Sequence, residues 1–419
     1  MRADRSSPDA PVTKKPLNIS ILNGVLRALF VFSPRLYRRA DLAELRPRRI
    51  LVARPDHIGD AILATPAIRA LRRRYPDASV TFAVASWSAP LFPHLAEADE
   101  VFTIDPPWWI AKRNGRAGHA DRFRIWRTFI ARLLELRRRR FDLCLELRGD
   151  VRQIVAFGWF VRPRAIVSYR RNGGHFLTDG WLLPRADRHE ALQDLDLAAM
   201  VGCGIDDPVP RIALGAKARA ATHDLLRQHG FDGDTVLAVI HPSAKQANAW
   251  PQPHFIALLD AMMEDRRIRV VLTGARSDRT LHRALEAVAP TRIVSCAGLS
   301  LLEVAALVER ADLFVTADTG PMHLLNGTAT RSVLLFGPTK PQRFAPFGST
   351  HRILEAGWCC DEELHDVCRL DPTGKSGRCM ASLDADRVIR EVRSVIAEID
   401  GEHERRFPEA TVIEARVAP

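Results

Sequence analysis

Cysteine is scarce in this chain: the 419 residues include 7, and they are scattered. Small secreted domains that depend on disulfides concentrate their cysteines. The scarcity therefore excludes a disulfide scaffold and predicts a reducing compartment. Cys144, Cys203 and Cys296 lie in apolar stretches, where we expect them to pack as small core residues.

The other four cysteines cluster near the C-terminal end, at Cys359, Cys360, Cys368 and Cys379. Four thiolates can complete the tetrahedral shell of a structural zinc or iron ion. The alternative is a set of free or paired thiols, which the adjacent pair at 359–360 favours. Apart from this candidate structural metal, the sequence predicts no cofactor.

Long hydrophobic runs are also missing. The apolar stretch 17–32 is interrupted by Asn18, Asn23 and Arg27, so it is too short and too polar to span a bilayer. No secretory signal is recognised before it. The stretch predicts an amphipathic helix that lies on a membrane surface or packs against the protein itself. Its apolar face consists of Ile21, Val25, Leu26, Leu29 and Phe30.

Two common nucleotide-binding fingerprints are absent. The loop at Arg54 lacks the GxGxxG pattern of dinucleotide-binding folds. The segment 371–378 contains Gly-Lys-Ser, but the P-loop spacing requires a glycine where this chain has Arg369. No strand is predicted before that segment either. An ordinary dinucleotide site and a P-loop are therefore both excluded.

Acidic residues are outnumbered by basic ones, 50 to 61, and the net charge is +11. This balance predicts an anionic partner, unless the arginines only cover solvated faces. The segment 108–140 combines basic and aromatic residues and suits acceptor phosphates or anionic lipid headgroups; the alternative is a solvated helix face. Nucleic acid has only the net charge in its favour, so we do not expect it as a partner.

Short apolar strands alternate with helix-period stretches along the whole chain. This alternation is typical of parallel α/β sheets, and the length fits two domains rather than one. The predicted strands of the first half are 49–53, 80–85, 100–104, 141–147 and 165–169. Those of the second half are 236–242, 268–274, 291–295, 312–318 and, as the last, 332–337.

The alternation breaks once, around 202–216, where glycine, proline and aspartate accumulate. We therefore predict two Rossmann-like, doubly wound domains facing a central cleft. The predicted boundaries are 1–47 for an N-terminal extension, 48–205 and 236–400 for the domains, 206–235 for the linker region and 401–419 for a tail. Ligands of such sheets bind beyond the carboxyl ends of the strands, so the loops there are the candidate sites.

The first such loop reads RPDHIGD, residues 54–60. Gly59 permits a tight turn and a close approach of the backbone. Asp60 stands at the start of the following helix, where a carboxylate can take a proton from a substrate hydroxyl. The alternative is a helix cap, a position at which aspartate is common.

A second loop, TADTGPMH at 316–323, follows a buried strand of the second half. Asp318 ends the strand, and Thr319 and Gly320 begin a helix whose free N–H groups and dipole attract phosphate. His323 lies one turn inside and can point at the same anion. The alternative is an ordinary capped helix with a satisfied histidine.

A third loop, HPSAKQANAWP at 241–251, follows the first strand of the second half. Ser243 and Lys245 are predicted to project towards the ligand. Lys245 can neutralise a diphosphate as a point charge.

Together these loops resemble glycosyltransferase family 9, the ADP-heptose:lipopolysaccharide heptosyltransferases. The resemblance rests on IGDAILATPAIRALRRRYP at 58–76, DTGPMH at 318–323 and FGPT at 336–339. It implies a GT-B fold, with the acceptor bound by the N-terminal half and the donor by the C-terminal half. It also implies metal-independent transfer with inversion, from ADP-heptose to a lipopolysaccharide core or another surface glycan.

The resemblance assigns roles residue by residue. It implies that Asp60 is the catalytic base and that Asp318, Thr319, Gly320 and His323 bind the donor phosphates. Asp278, which follows Gly274, corresponds to an acidic residue that binds the donor ribose. The acceptor-binding candidates are Arg54, Arg148 and Arg152. The implied location is the cytoplasm, with peripheral association at the inner face of the inner membrane and an anionic glycolipid as acceptor.

One departure from the family pattern concerns the third loop. The family carries a lysine two residues before Trp-Pro, and this chain has Asn248 before Trp250 and Pro251. Lys245 is the candidate substitute. Because of this departure, a catalytically silent nucleotide-sugar-binding protein remains an alternative. Because of the cysteine cluster, a protein heptosyltransferase of the autotransporter type remains another.

Overall fold

A computed structural model describes residues 40–114, 119–231, 235–357 and 377–406, together with Gly24 and Cys368. The predicted helix at 17–32, apart from Gly24, lies outside the described residues, as do Cys359, Cys360 and the tail beyond residue 406. The chain divides into two compact units. The first comprises Met1–Gly215 with Gln342–Phe347, and the second comprises Ala216–Pro341 with Gly348–Pro419.

The first unit is built on six parallel strands with helices between them. The strands are β1 (Arg49–Arg54), β2 (Ser79–Val84), β3 (Glu100–Thr103), β4 (Leu143–Glu146), β5 (Ala165–Tyr169) and β6 (Gly180–Leu182). The α-helices are α1 (Ile58–Leu63), α2 (Thr65–Arg74), α3 (Pro107–Asn114), α4 (His119–Arg138), α5 (Val151–Ile154) and α6 (Glu190–Ala199). A π-helical segment, Val155–Val161, continues α5.

The second unit repeats this plan with six more parallel strands. They are β7 (Val236–His241), β8 (Ile268–Gly274), β9 (Ile293–Ala297), β10 (Leu313–Ala317), β11 (Arg331–Phe336) and β12 (His351–Glu355). Its α-helices are α7 (Ala216–Gln228), α8 (Gln252–Met262), α9 (Arg279–Glu286) and α10 (Leu301–Arg310). They are followed by α11 (Pro341–Phe344), at which the chain returns to the first unit, and by α12 (Arg378–Ser382) and α13 (Ala385–Arg406) of the second.

The strand order indicates the crevice at which sheets of this kind bind their ligands. The first sheet runs β3-β2-β1-β4-β5-β6 and the second β12-β11-β10-β7-β8-β9, which is the doubly wound order in both. In such a sheet the direction of winding reverses between its two central strands, and the loops after them flank a crevice. These loops follow β1 and β4 in the first unit, and β7 and β10 in the second.

The core of each unit is formed where helices cover the sheet. In the first, Phe129, Leu133 and Leu136 of α4 pack with Phe157 and Val161 against the sheet. In the second, α8 and α13 bury an apolar stripe each, including Phe255, Leu258, Val388, Val392 and Val395. Continuous burial on both faces explains why the central strands read as unbroken apolar runs.

Each predicted strand is present, but the sequence reading missed others. The strand predicted at 332–337 is β11, but it is not the last strand. Strand β12 follows it and pairs with it in parallel. Its side chains are mostly not buried, so it lacks the apolar run of a central strand. The predicted linker region 206–235 contains helix α7, and α13 extends into the predicted tail. The domain boundaries proposed from the sequence otherwise stay a prediction.

Within the described residues, none of the helices combines the length and the hydrophobicity that crossing a membrane requires.

Candidate active site

Asp60 lies in the first turn of α1, in the loop that follows the central strand β1. The residue at the N-cap position is His57, so the alternative that Asp60 caps this helix is wrong. Oδ1 of Asp60 is 3.2 Å from the Arg54 guanidinium. Oδ2 is 3.0 Å from Nδ1 of His57 and 3.3 Å from the guanidinium of Arg148. The carboxylate therefore lies among three basic side chains.

This environment determines the charge of Asp60. Burial by itself raises the pKa of the carboxyl, but the charge of Arg54, the His57 hydrogen bond and the charge of Arg148 outweigh it and hold the pKa well below its usual range. Asp60 is consequently ionised at neutral pH, and its side chain remains 12% exposed. An ionised, partly accessible carboxylate is able to accept a proton.

The neighbouring Asp56 behaves in the opposite way. Its side chain is fully buried, and burial raises its pKa despite the charge of Arg54. Two carboxyl groups that share the same arginines are thus driven apart in pKa, which is how acid–base sites separate roles. The arrangement favours Asp60, rather than Asp56, as the group that carries negative charge towards solvent.

Arg54 is 1% exposed and lies between carboxylates. Its guanidinium is 3.4 Å from Asp56, 3.2 Å from Asp60 and 4.0 Å from Glu190. Burial alone lowers its pKa, but the surrounding acids, Asp56 first, raise it well above the usual value. This placement favours a role in holding Asp60 over the direct acceptor contact expected from the sequence.

The other two acceptor-binding candidates occupy different positions. Arg148 follows β4 and contacts both Asp56, at 3.2 Å, and Asp60, with its guanidinium 5.2 Å from the centre of the Trp109 ring. Arg152 is held instead by Asp150, at 2.9 Å to Oδ1, and lies 5.1 Å from the centre of the Trp108 ring. The structure therefore brings Arg148 to Asp60 and gives Arg152 other partners.

Several acidic residues around this site were missed by the sequence reading. Glu146 ends β4 and accepts hydrogen bonds from the amides of Arg148 and Gly149, so it fixes the loop that carries Arg148. Glu190 begins α6 and pairs with Arg343 and, at 3.7 Å, with Arg171. No local pattern identifies Glu190, because its partners Arg171 and Arg343 are distant in the sequence.

Asp194 on α6 titrates in an unusual range. Its carboxyl accepts a hydrogen bond from the Tyr169 hydroxyl at 2.9 Å, and burial raises its pKa to about 8 despite the opposing charge of Arg54. An unfolded aspartate titrates near 3.9, so the folded state retains a proton that the unfolded state loses. The resulting stabilisation is complete below pH ~4 and is lost as the pH rises through about 8.

We therefore expect the stability of the Asp194→Asn variant, relative to that of the natural protein, to increase with rising pH. Asparagine can accept the Tyr169 hydrogen bond but does not titrate. Between pH 5 and pH 8, the free energy of unfolding of the natural protein should fall relative to the variant by up to ~1.4 kcal/mol per pH unit. Urea unfolding of both proteins at several pH values measures this. A difference that does not change with pH would show that Asp194 is ionised throughout.

In the second unit, the predicted phosphate loop follows the central strand β10. Asp318 and Thr319 lead into the predicted short helix, which is a 3-10 helix, Gly320–Leu325, and His323 is buried within it. The Thr319 hydroxyl is 3.3 Å from that of Thr316. Since this 3-10 helix is only six residues long, a phosphate at the predicted site would depend on the first backbone amides and on nearby cations.

The third loop follows the other central strand, β7. The Asn248 amide donates to the backbone oxygen of Asp318 at 3.0 Å, so it ties together the two loops at the switch point. Lys245, at the start of the 3-10 helix Gln246–Asn248, is exposed. Asn248, the residue that departs from the family pattern, thus has a structural role here. Lys245 is the exposed cation of the same loop.

Two predicted donor-binding residues, Ser243 and Asp278, converge at Gly274. A Cβ atom on Gly274 would lie 2.8 Å from Oδ2 of Asp278, 2.9 Å from Nε2 of His282 and 3.2 Å from Oγ of Ser243. Asp278 also accepts a hydrogen bond from the Ala275 amide at 2.7 Å. His282, which sequence reasoning missed, is fully buried, and a side chain at 274 would displace these polar groups.

The cysteine cluster is described only in part. Cys368 and Cys379 are buried, and the Cys368 sulfur accepts from the Arg378 amide at 3.4 Å. Across the described ranges, no group of three or more His, Cys, Asp or Glu side chains is arranged to hold a metal ion. Because Cys359 and Cys360 lie outside those ranges, the four-cysteine metal site stays a prediction.

Two parallel sheets in doubly wound order, each with polar loops after its two central strands, are the pattern of the GT-B fold. The structure of the ADP-heptose lipopolysaccharide heptosyltransferase II of E. coli is similar: its TM-score is 0.64 at 18% identity, over 84% of this chain and 99% of the other. The predicted GT-B fold is thereby confirmed.

The family is also established. A family model described as glycosyltransferase family 9 (heptosyltransferase) matches residues 130–373, more than half of the chain. This chain belongs to that family and is a glycosyltransferase. It is 24% identical to lipopolysaccharide heptosyltransferase 2 of Salmonella typhimurium, over 84% of this chain and 99% of the relative. It is also 24% identical to lipopolysaccharide heptosyltransferase 3 of Escherichia coli, over 67% and 81%.

Proposed function

We propose that this protein transfers a heptose from ADP-heptose to a lipopolysaccharide core or another surface glycan. The observation that carries the proposal is the ionised Asp60, held by Arg54, His57 and Arg148 at the switch point of the first unit. The substrate class is supported by relatives that are named lipopolysaccharide heptosyltransferases. This chain matches them over most of their length.

The proposed reaction is a single displacement at the anomeric carbon. The acceptor hydroxyl gives its proton to Asp60 while its oxygen forms the new bond, and the bond to the ADP oxygen breaks on the opposite face, so the configuration inverts. The leaving diphosphate is bound by the amides of Thr319 and Gly320, by the Thr319 hydroxyl, by His323 and by Lys245. Donors held ready for developing charge lower the barrier without reorganising.

The low pKa of Asp60 has a consequence for this mechanism. A strongly stabilised carboxylate is a weak base, and proton transfer from the acceptor becomes favourable only late, when the new bond has made the hydroxyl acidic. The hydroxyl can approach Oδ2 by taking the place of His57, whose side chain is 38% exposed. Losing that hydrogen bond removes one of the influences that lower the pKa.

The proposed partners follow from charge. We propose Arg148, which contacts Asp60, as the main contact of an anionic acceptor, a phosphorylated glycolipid, with Arg152 as a second candidate beside it in the sequence; no nucleic acid is proposed. The proposed location is the cytoplasm, with peripheral association at the inner face of the inner membrane. A protein acceptor is the alternative, and an intact four-cysteine metal site would favour it. A silent binding protein would bind ADP-heptose without turnover.

The donor site is tested by calorimetric titration with ADP, GDP and UDP in the absence of metal. We expect selective binding of ADP and a loss of affinity of about tenfold or more in Thr319→Val and His323→Ala, because each removes a hydrogen bond to a charged group. Thr291→Val, an exposed threonine elsewhere in the second unit, is the matched control and should bind ADP normally. Preference for GDP or UDP would contradict the ADP donor, and binding of none would contradict the donor site itself.

A further inference from the structure

A second feature of the first unit lies on helix α4, which is 20 residues or about 30 Å long. Its exposed apolar side chains are Phe123 at 71%, Trp126 at 47% and Leu134 at 42%. With the half-buried Ile130 between them, their spacing places them along one side of the helix. Soluble proteins rarely leave such a row of large apolar side chains in water.

The π-helical segment beside α4 adds two more aromatic side chains, Trp159 at 43% and Phe160 at 38% exposed. The two elements are joined by Arg137 of α4, which donates to the backbone oxygen of Phe160 at 3.1 Å. We call this surface, with the arginines described next, the basic–aromatic face.

Arginines accumulate at the end of this face. A cavity there is lined by Phe141, Asp142, Val161 and five arginines: Arg49, Arg137, Arg140, Arg162 and Arg164. Asp142 is the only acidic lining residue, and its Oδ2 accepts from the amides of Arg48 and Arg49. The cavity lies where β1, β4 and β5 begin, so it is at the opposite edge of the sheet from Asp60. It is therefore separate from the site described above.

The backbone at two of these arginines is unusual. Arg140 has a φ of 52° and Arg162 a φ of 55°, and they are the only non-glycine residues with positive φ in the described chain. Both stand where a helix ends, a position that favours glycine. Glycine would adopt this conformation without strain at either position, and both arginine side chains line the same cavity.

We propose that the basic–aromatic face docks on an anionic phospholipid bilayer. Aromatic side chains on a basic helix favour the interfacial layer of a bilayer, where rings are buried and arginines stay hydrated. The arginine cavity supplies the complementary charge for lipid phosphates. RNA fits less well: bases would stack on the exposed rings but not on the aliphatic Leu134 and Ile130 of the same row, whereas a bilayer interface takes up both kinds of side chain. This proposal rests on the peripheral membrane association proposed above and names the surface that would make it. Docking itself does not require the transfer reaction.

The test is co-sedimentation of the full chain with vesicles of phosphatidylcholine alone and of phosphatidylcholine with phosphatidylglycerol. We expect binding only to the second kind, and we expect added salt to weaken it. The triple variant R137Q/R162Q/R164Q should lower the partition coefficient about tenfold or more. R227Q/R310Q/R390Q, which removes the same charge from exposed positions of the second unit, should bind normally. F123S/W159S should bind weakly, and L183S/I353S, also exposed apolar positions, should not differ from the natural protein.

One variant separates a lipid-binding role from a structural one. Arg162→Gly relieves the positive φ, so its Tm should rise while its vesicle binding falls.

Equal binding to both vesicle types, normal binding by the arginine variants, or equal losses in the matched controls would overturn the proposal. Arginine-dependent binding to a single-stranded RNA oligonucleotide without vesicle binding would also overturn it and assign the face to RNA. ADP binding and transfer to a detergent-dispersed acceptor should persist in these variants, so failure here is distinguishable from failure of the proposed enzyme activity.

Discussion

Asp60→Asn should lower the kcat of heptose transfer about 10²- to 10⁴-fold, the usual contribution of a general base. Asparagine has nearly the size of aspartate, and its oxygen can still accept from Arg54 or Arg148, but it cannot take the proton of the acceptor hydroxyl. The affinity for ADP, which we assign to the second unit, should not change. Release of ADP in the presence of ADP-heptose and acceptor measures kcat.

Two comparisons make this result specific. Asp77→Asn, an exposed aspartate of the same unit, is the matched control and should keep full activity. Asp60→Glu retains a proton acceptor at a shifted position, so it should recover part of the activity that Asp60→Asn loses. Normal transfer by a folded Asp60→Asn protein would exclude Asp60 as the base. A normal Tm and normal ADP binding establish that the variant is folded.

Arg54→Met should have the largest effect on stability, lowering the free energy of unfolding by about 3–5 kcal/mol. The arginine is buried against Asp56 and Asp60, so its removal leaves both carboxylates in a poorly hydrated site with Arg148 as their remaining arginine. Arg73→Met is the matched control: Arg73 is 53% exposed and pairs with Asp206 and Asp207 at the surface, which contributes about 0–1 kcal/mol. Urea unfolding compares the two variants with the natural protein.

The destabilisation by Arg54→Met should also depend on pH. Without the arginine, the pKa values of Asp56 and Asp60 rise in the folded state, so protonation relieves the repulsion between them. The variant should therefore be less destabilised at pH 5 than at pH 8. The acidic limb of its pH–rate profile should move to higher pH, since Asp60 would protonate earlier. A loss of stability no greater than that of Arg73→Met would show that Arg54 does not balance these carboxylates.

Much of this molecule was readable from the sequence. The central strands are buried on both faces, so their residues form apolar runs that predict parallel sheets, and the loops after them carry the polar residues of the site. Asp60 and Asp318 were found in this way because each is a few residues from a central strand. Resemblance to the family, carried by short motifs in the same loops, supplied the roles proposed for them.

Other features were decided only by the tertiary structure. Strands β6 and β12 lie at sheet edges, where partial exposure removes the apolar run that identifies a strand. The contact of Glu190 with Arg343 joins residues 153 positions apart, within a unit to which the segment Gln342–Phe347 returns. In the sequence, Asn248 appears only as the replacement of the family's lysine. In the structure it connects two loops whose bonded residues are 70 positions apart. Local patterns record whether a side chain is buried, whereas a charged group's partner, and therefore its pKa, depends on which distant segments the fold brings to it.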